Sequence, residues 1–119
     1  MDVLVRTSVP ASGLLSLRLA IDVQINVSDV DAQRHVSKYV HGEISSQMHG
    51  GKPVLMLGES FVWRVPIHLT FPSIGDAGVV GYIEVDVNSG ALNTLPDVIR
   101  EIERNAENLA RRVARAAAG

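Results

Sequence analysis

The chain contains no cysteine, which excludes disulfides, thiolate nucleophiles and any cysteine-bearing zinc site, and favours a reducing compartment. It has no basic excess either. Eleven Lys and Arg against 13 Asp and Glu leave a formal net charge of −2, so no overall positive field would hold nucleic acid or an anionic membrane. Long apolar runs are missing too. The opening stretch MDVLVRTSVPASGLLSLRLAI has apolar patches, but Pro10, Ser12, Ser16 and Arg18 interrupt them, leaving neither a signal core nor a membrane span. The expectation is a cytoplasmic protein with no membrane partner. Aromatics are scarce, at two Phe, two Tyr and one Trp, so the positions they occupy are informative.

What remains is an ordinary globular composition, 46% apolar and 20% charged over 119 residues, enough for one core and one domain, 1–119. In residues 1–28 the apolar side chains Leu15, Leu17, Leu19, Ile21, Val23, Ile25 and Val27 alternate with mostly polar neighbours, the period of a strand with one buried face. A short piece at 3–6 could pair with it across the turn-prone PASG. The stretch FVWRVPIHLT, 61–70, alternates without a slip. Its odd row, Phe61, Trp63, Val65, Ile67, Leu69 and Phe71, holds every Phe and Trp in the chain and predicts the floor of the core. Residues 79–87 return as a second strand with Val79, Gly81, Ile83, Val85 and Val87 inward and Val80, Tyr82, Glu84 and Asp86 outward. Asn88-Ser89-Gly90 then closes a turn. With a short strand from Pro53 to Leu57, region 53–92 reads as antiparallel strands.

Two segments carry helical periodicity. Residues 29–50 open on the N-cap residues Ser28 and Asp29, place Val36, Val40, Ile44 and Met48 in one stripe, and end at Gly50-Gly51. Residues 94–117 begin at Asn93 or Thr94 with Pro96 near the first turn. Leu95, Ile99, Ile102, Ala106, Leu109, Val113 and Ala116 then form a heptad seam. The fold class expected is α+β, two-layer, with an antiparallel sheet of about four strands and two amphipathic helices. Its open sheet edges suit pairing with a protein partner or a second copy as a homodimer.

The piece Ile83-Glu84-Val85-Asp86-Val87-Asn88-Ser89-Gly90-Ala91-Leu92 resembles the VDxxTGxL hairpin of PepSY-type domains, in which a helix also precedes two antiparallel strands. Over residues 30–92 the chain is also similar to a group of small uncharacterised prokaryotic proteins that share the helix, the WRVP strand and the acidic strand. The PepSY resemblance implies a domain that binds or inhibits a partner and offers no catalytic residues to carry over. PepSY-type domains mostly act outside the cytoplasm, and that location is not carried over.

Chemistry is sparse. His35, His41 and His49 fall in the first predicted helix, where the outer two lie about 21 Å apart and cannot share a metal ion. No metal site or cofactor is expected. No serine sits in a nucleophile elbow, and Gly50-Gly51-Lys52 follows a helix instead of opening one, so it reads as a helix stop. The even row of the hairpin offers Arg64, His68, Tyr82, Glu84 and Asp86 as a possible binding face. Arg64 lies opposite Asp86 or, with a two-residue shift, opposite Glu84. The plain alternative is a solvated face whose Arg–carboxylate pair sets register, contributing about 0.2–1 kcal/mol. Glu43 falls inside the apolar stripe of the first helix, which predicts a buried polar anchor reaching the Trp63 indole or an arginine. The C-terminal seam with its basic end, Ile99, Ile102, Leu109, Arg111, Arg112 and Arg115, predicts either packing on its own sheet or a partner-binding helix. Together these features favour a non-catalytic interaction or regulatory domain, antitoxin-like in type. The alternatives are a small-ligand pocket between helix and sheet, and a small hydrolase or isomerase using Glu43, His68 or Asp86.

Overall fold

The computed structural model describes residues 22–118. The elements run α1 (Asp29–Glu43), β1 (Met48–Gly50), β2 (Val54–Leu57), β3 (Phe61–Phe71), β4 (Gly75–Asp86) and α2 (Pro96–Ala118). The class is α+β, with two helices and a four-stranded antiparallel sheet. The strand expected at 3–6 and the first part of that at 15–27 lie outside the described residues. Residues 22–27 take no regular secondary structure; they tie to the sheet through Asn26 N and Val27 N, which both donate to Val87 O at 2.9 and 3.0 Å. The fourth strand is instead β1, at the end of the predicted helix.

That helix is shorter than its periodicity suggested. It starts as expected, with Ser28 Oγ accepting from Asp31 N at 3.1 Å. It stops at Glu43 because Ser45-Ser46 supplies turn chemistry: Ser45 N bonds Val40 O, Gln47 N bonds Ser45 Oγ and Met48 N bonds Ser45 O. Met48 is then buried opposite Leu69 in the sheet. A side chain that fits the stripe of a longer helix is thus equally satisfied by a strand, and backbone pairing decides between them.

β3 forms the centre of the sheet. β1 and β2 follow one another along one side of it, and β4 runs along the other. The odd row of β3 is the core floor, with Val65, Ile67 and Leu69 buried. Ile67 lies opposite Gly50 on one side and Gly81 on the other. A Cβ on Gly50 would meet Gln33 O and Ser37 Oγ of α1 at 3.2 Å, and one on Gly81 would meet Ile102 Cγ1 of α2 at 2.6 Å. Both helices therefore sit on the same face, each approaching over a glycine. The cluster they close includes Val36, Val40, Ile83, Val85 and Ile102, all nearly or fully buried. Each such aliphatic side chain contributes about 1.5–3 kcal/mol.

The hairpin is less regular than strict alternation implies. Arg64 faces Glu84 and Pro66 faces Tyr82, the shifted register, but Ile67 pairs with Gly81 while His68 pairs with Val79. The bulge puts Val80 into the core at 2% exposure and Val79 outside at 45%, the reverse of the inward–outward assignment made from period two alone.

α2 packs on its own sheet over its first half. Ile102 and Ala106 are buried, and Asn105 Nδ2 donates to Val80 O at 2.9 Å. From Arg111 to Ala118 only Val113 keeps partial cover. Gly81→Ala is expected to lose about 1–3 kcal/mol in urea denaturation, because the methyl group must displace the Ile102 side chain against the helix. Gly42→Ala in α1 meets nothing within 4 Å and should be neutral or stabilising by up to about 1 kcal/mol.

Candidate functional site

No described element covers the even face of β3. Strand pairing places Val54 and Met56 of β2, Val62, Arg64, Pro66 and His68 of β3, and Val79, Tyr82 and Glu84 of β4 on that side. Four of the proposed face residues do come together there, but the contacts differ from those expected. Arg64 is opposite Glu84 in the ladder, yet its guanidinium lies over the Tyr82 ring, 5.2 Å from the centroid, and forms no ion pair among the described residues. Its Nε is buried without a hydrogen-bond partner among those residues. Asp86 does not join the face as a binding group. Its Oδ1 accepts from Asn88 N at 2.8 Å and Ser89 N at 2.9 Å, closing the turn before Gly90, whose φ is +75°. The Ser89 and Asn88 N–H groups hold the Asp86 carboxyl below the usual aspartate range.

The buried anchor is also different. Glu43 is the last residue of α1 and is exposed, because the helix ends there and its side chain is released to solvent. The Trp63 indole N–H donates to Val27 O at 2.7 Å, so backbone, not a carboxylate, satisfies it. A groove of about 840 Å³ does open beside Glu43, lined by residues that include His35, Tyr39, Met48 and Leu92. Of the helical candidates, Ile102 is core, Ile99 and Leu109 are half-buried against the sheet, Arg111 pairs with Glu107 at 2.7 Å, and Arg112 and Arg115 are exposed.

One constellation escaped the sequence. His49, placed on β1, stacks on His68 with ring centroids 5.3 Å apart and planes 15° apart. His68 Nδ1 lies 2.9 Å from Asp76 Oδ2, and His49 Nδ1 lies 3.4 Å from Thr70 Oγ1. Asp76 Oδ1 also accepts from Gly78 N at 3.0 Å, pinning the bulged end of β4. The Asp–His pair has the form of an oriented base, but no described serine or threonine hydroxyl lies within bonding distance of His68. Near-parallel rings also aim their in-plane lone pairs side by side, not at one point. Among the described residues no three His, Asp or Glu side chains converge as a metal site. Only a hairpin register with two bulges brings Asp76 to His68, and alternation alone could not supply it.

The sheet margins separate more sharply. Where β3 lends its even residues to β1 and β2, Pro66 O accepts from Gly51 N at 2.7 Å, and the N–H that proline lacks falls at the break between those strands. By the same alternation, Val54 and Met56 bond inward to β3, while Leu55 and Leu57 direct their N–H and C=O groups outward. β1 is closed by α1: Gly50 N donates to Ser37 Oγ at 2.9 Å, and Gln33 Nε2 donates to Gly50 O at 3.1 Å. β4 is closed by Asn105 at Val80 O and by the 91–93 segment, with Asn93 N on Glu84 O and Ala91 O on Asp86 N. Nothing described caps β2. All four of its side chains are exposed, Val54 56%, Leu55 40%, Met56 36% and Leu57 39%.

Asp76 gives a pH signature. Desolvation raises its pKa, but the Gly78 N–H and then His68 and His49 outweigh it, leaving the carboxyl below 3.8. Its contribution to stability is therefore present above pH 3.8 and lost as pH falls through the lower folded-state value. Asp76→Asn should be less stable than wild type at neutral pH, with the gap closing in acid, measured by thermal melts across pH. A gap independent of pH would exclude this origin. Among the described residues, no helix is long and apolar enough to cross a membrane. No family model, curated protein or solved structure matches the chain, so its functional reading rests on its own residues.

Proposed function

We propose that the chain is a non-catalytic protein-interaction domain, a cytoplasmic regulatory or antitoxin-like companion, that docks by extending its sheet from the edge of β2. The observation that carries this reading is the contrast between margins. β1 and the described stretches of β4 are capped by the chain's own side chains and backbone, whereas β2 leaves four apolar residues exposed and, among the described residues, the Leu55 and Leu57 backbone uncapped. Proteins usually guard such edges with charge, proline or a covering element, since a bare apolar edge templates pairing. Val-Leu-Met-Leu carries none of these guards within it. Backbone pairing would supply affinity, and the apolar side chains would supply contact area on both faces.

A small-ligand pocket is the second reading, favoured by the 840 Å³ groove beside Glu43. It is the weaker of the two, because no described hydrogen bond ties one titratable group lining that groove to another, and His49 lies near Thr70 instead. The catalytic alternative has less support still, as no nucleophile among the described residues bonds the His68–Asp76 pair.

The test replaces Met56 with photo-reactive benzoylphenylalanine in cells and compares it with the same substitution at Ile74, an exposed residue of the β3–β4 loop. A discrete crosslinked protein from position 56, absent from position 74, is expected. It should disappear when Leu57→Pro is added, since that proline removes an outward N–H but no bond to β3. The absence of any crosslink at 56, or one indifferent to Leu57→Pro, would count against edge docking.

A further inference from the structure

We infer that the uncovered face carries a separate small-molecule site, a cleft at Arg64 and Glu84 that takes a free α-amino acid with an apolar side chain. The observation behind it is an ion pair that the ladder offers and the side chains do not make. Arg64 and Glu84 are partners in the β3–β4 register. Glu84 O and Asp86 N bond outward, to Asn93 N and Ala91 O, so Arg64 and Glu84 form a non-hydrogen-bonded pair. In such a pair the Cα atoms are about 4.5 Å apart and the side chains share one face. Opposite charges attract at that spacing. Yet the guanidinium lies over the Tyr82 ring, and among the described residues neither Arg64 nor Glu84 forms a salt bridge. Both are half-buried.

Neighbouring acids do not take their place. Asp86 is committed to the Asn88 and Ser89 amides, and Glu59 has an interaction of its own. Stacking uses the face of the guanidinium and leaves its in-plane Nη donors for an acceptor. Of the Arg64 nitrogens only Nε is sealed off without a partner, so the Nη groups stay open to a ligand. Beside the pair lies a cleft of about 460 Å³, with Met56 and Val62 on its apolar side and Ser60 at the turn between β2 and β3. That volume suits a small molecule. Two opposite, unpaired charges at its rim select a dipolar one. A carboxylate alone would answer Arg64 but lie beside the like charge of Glu84, and an amine alone would meet the converse. A molecule with both groups on one carbon gives its carboxylate to the Arg64 Nη donors and its ammonium to Glu84, each as a charge-assisted hydrogen bond. The apolar side chain on that carbon covers Met56 and Val62. No β2 backbone group is used, so the site is independent of edge docking.

The probe is L-leucine, titrated into the purified full chain and followed at the Arg64 Nε–H by proton–nitrogen correlation NMR. Shielding from solvent should keep that signal resolved, and it reports on the guanidinium directly. Leucine is expected to shift it saturably. Leucinamide, which lacks the carboxylate, and N-acetyl-leucine, which lacks the ammonium, should each bind at least roughly tenfold more weakly. These analogues test the two charges without altering the fold. Glu84→Gln should weaken leucine binding to a similar degree while keeping the wild-type melt. Glu101→Gln should leave it unchanged, since Glu101 is an exposed α2 residue in a neighbouring cleft that Arg64 and Glu84 also border. The absence of a saturable shift with leucine, or equal binding of all three compounds, overturns the proposal. So does a loss on Glu101→Gln that matches the loss on Glu84→Gln, because the ligand would then sit on the α2 side. Docking at β2 is read from the crosslink at position 56 and stands or falls separately.

Discussion

The structure depends on one row across the sheet: Gly50, Ile67 and Gly81, side by side on β1, β3 and β4. Ile67 is fully buried, and the glycine on each side lets a helix descend onto the sheet. On one side the Gly50 backbone is close enough to bond Ser37 and Gln33 of α1. On the other, Ile102 fills the space a Gly81 side chain would take, and Asn105 reaches Val80 O. The two approaches are one device. A glycine beneath each helix trades a side chain for closer packing, and the nearer backbone brings a polar helix side chain within bonding range of an exposed strand edge. Layer packing and edge protection thus arise from the same three positions.

The uncovered face has no such helix, and it solves the problem differently. Its side chains cover one another: the Arg64 guanidinium sits over Tyr82 and His49 stacks on His68. Stacked planar groups shield a sheet at the cost of little apolar exposure, since guanidinium and imidazole rings keep polar edges for water. Arg64 shows the compromise, because its Nε is buried without a hydrogen bond among the described residues. Asp76 ties the distal part of this cover down by holding both His68 and the Gly78 amide. This gives the His68–Asp76 hydrogen bond and the ring stack a structural purpose that needs no reaction.

The floor of the core was legible because Phe61 to Phe71 alternate without interruption, and the cap at Ser28 and the turn at Gly90 were legible because their chemistry is local. What failed depended on pairing over distance. Met48 satisfies a helical stripe and a strand equally well, so only the Leu69 ladder reveals β1. Val79 and Val80 are chemically alike, and the bulge that exchanges their sides is set by how β4 meets β3 and α2. Glu43 shares the helical face of Val36 and Val40, yet it is exposed because it ends the helix. His49 and Asp76 were unremarkable alone and acquire meaning at His68, to which a strand and a bulged turn deliver them.

Pro66 connects these arguments. A proline in a central strand must find a place where no ladder bond is needed from it, and here that place is the gap between β1 and β2. The gap divides the margin beside β3 into two parts with different fates. Before it, α1 lies close enough to cap Gly50; after it, β2 runs on past the reach of any described side chain. Moving the proline two residues along would place its missing N–H at a paired position, either His68 against His49 or Arg64 against Val54, and would disrupt the ladder there. The same residue that interrupts the sheet therefore marks where the chain stops covering its own edge, and the exposed Val-Leu-Met-Leu strand begins one residue beyond the buried Pro53 that closes the gap.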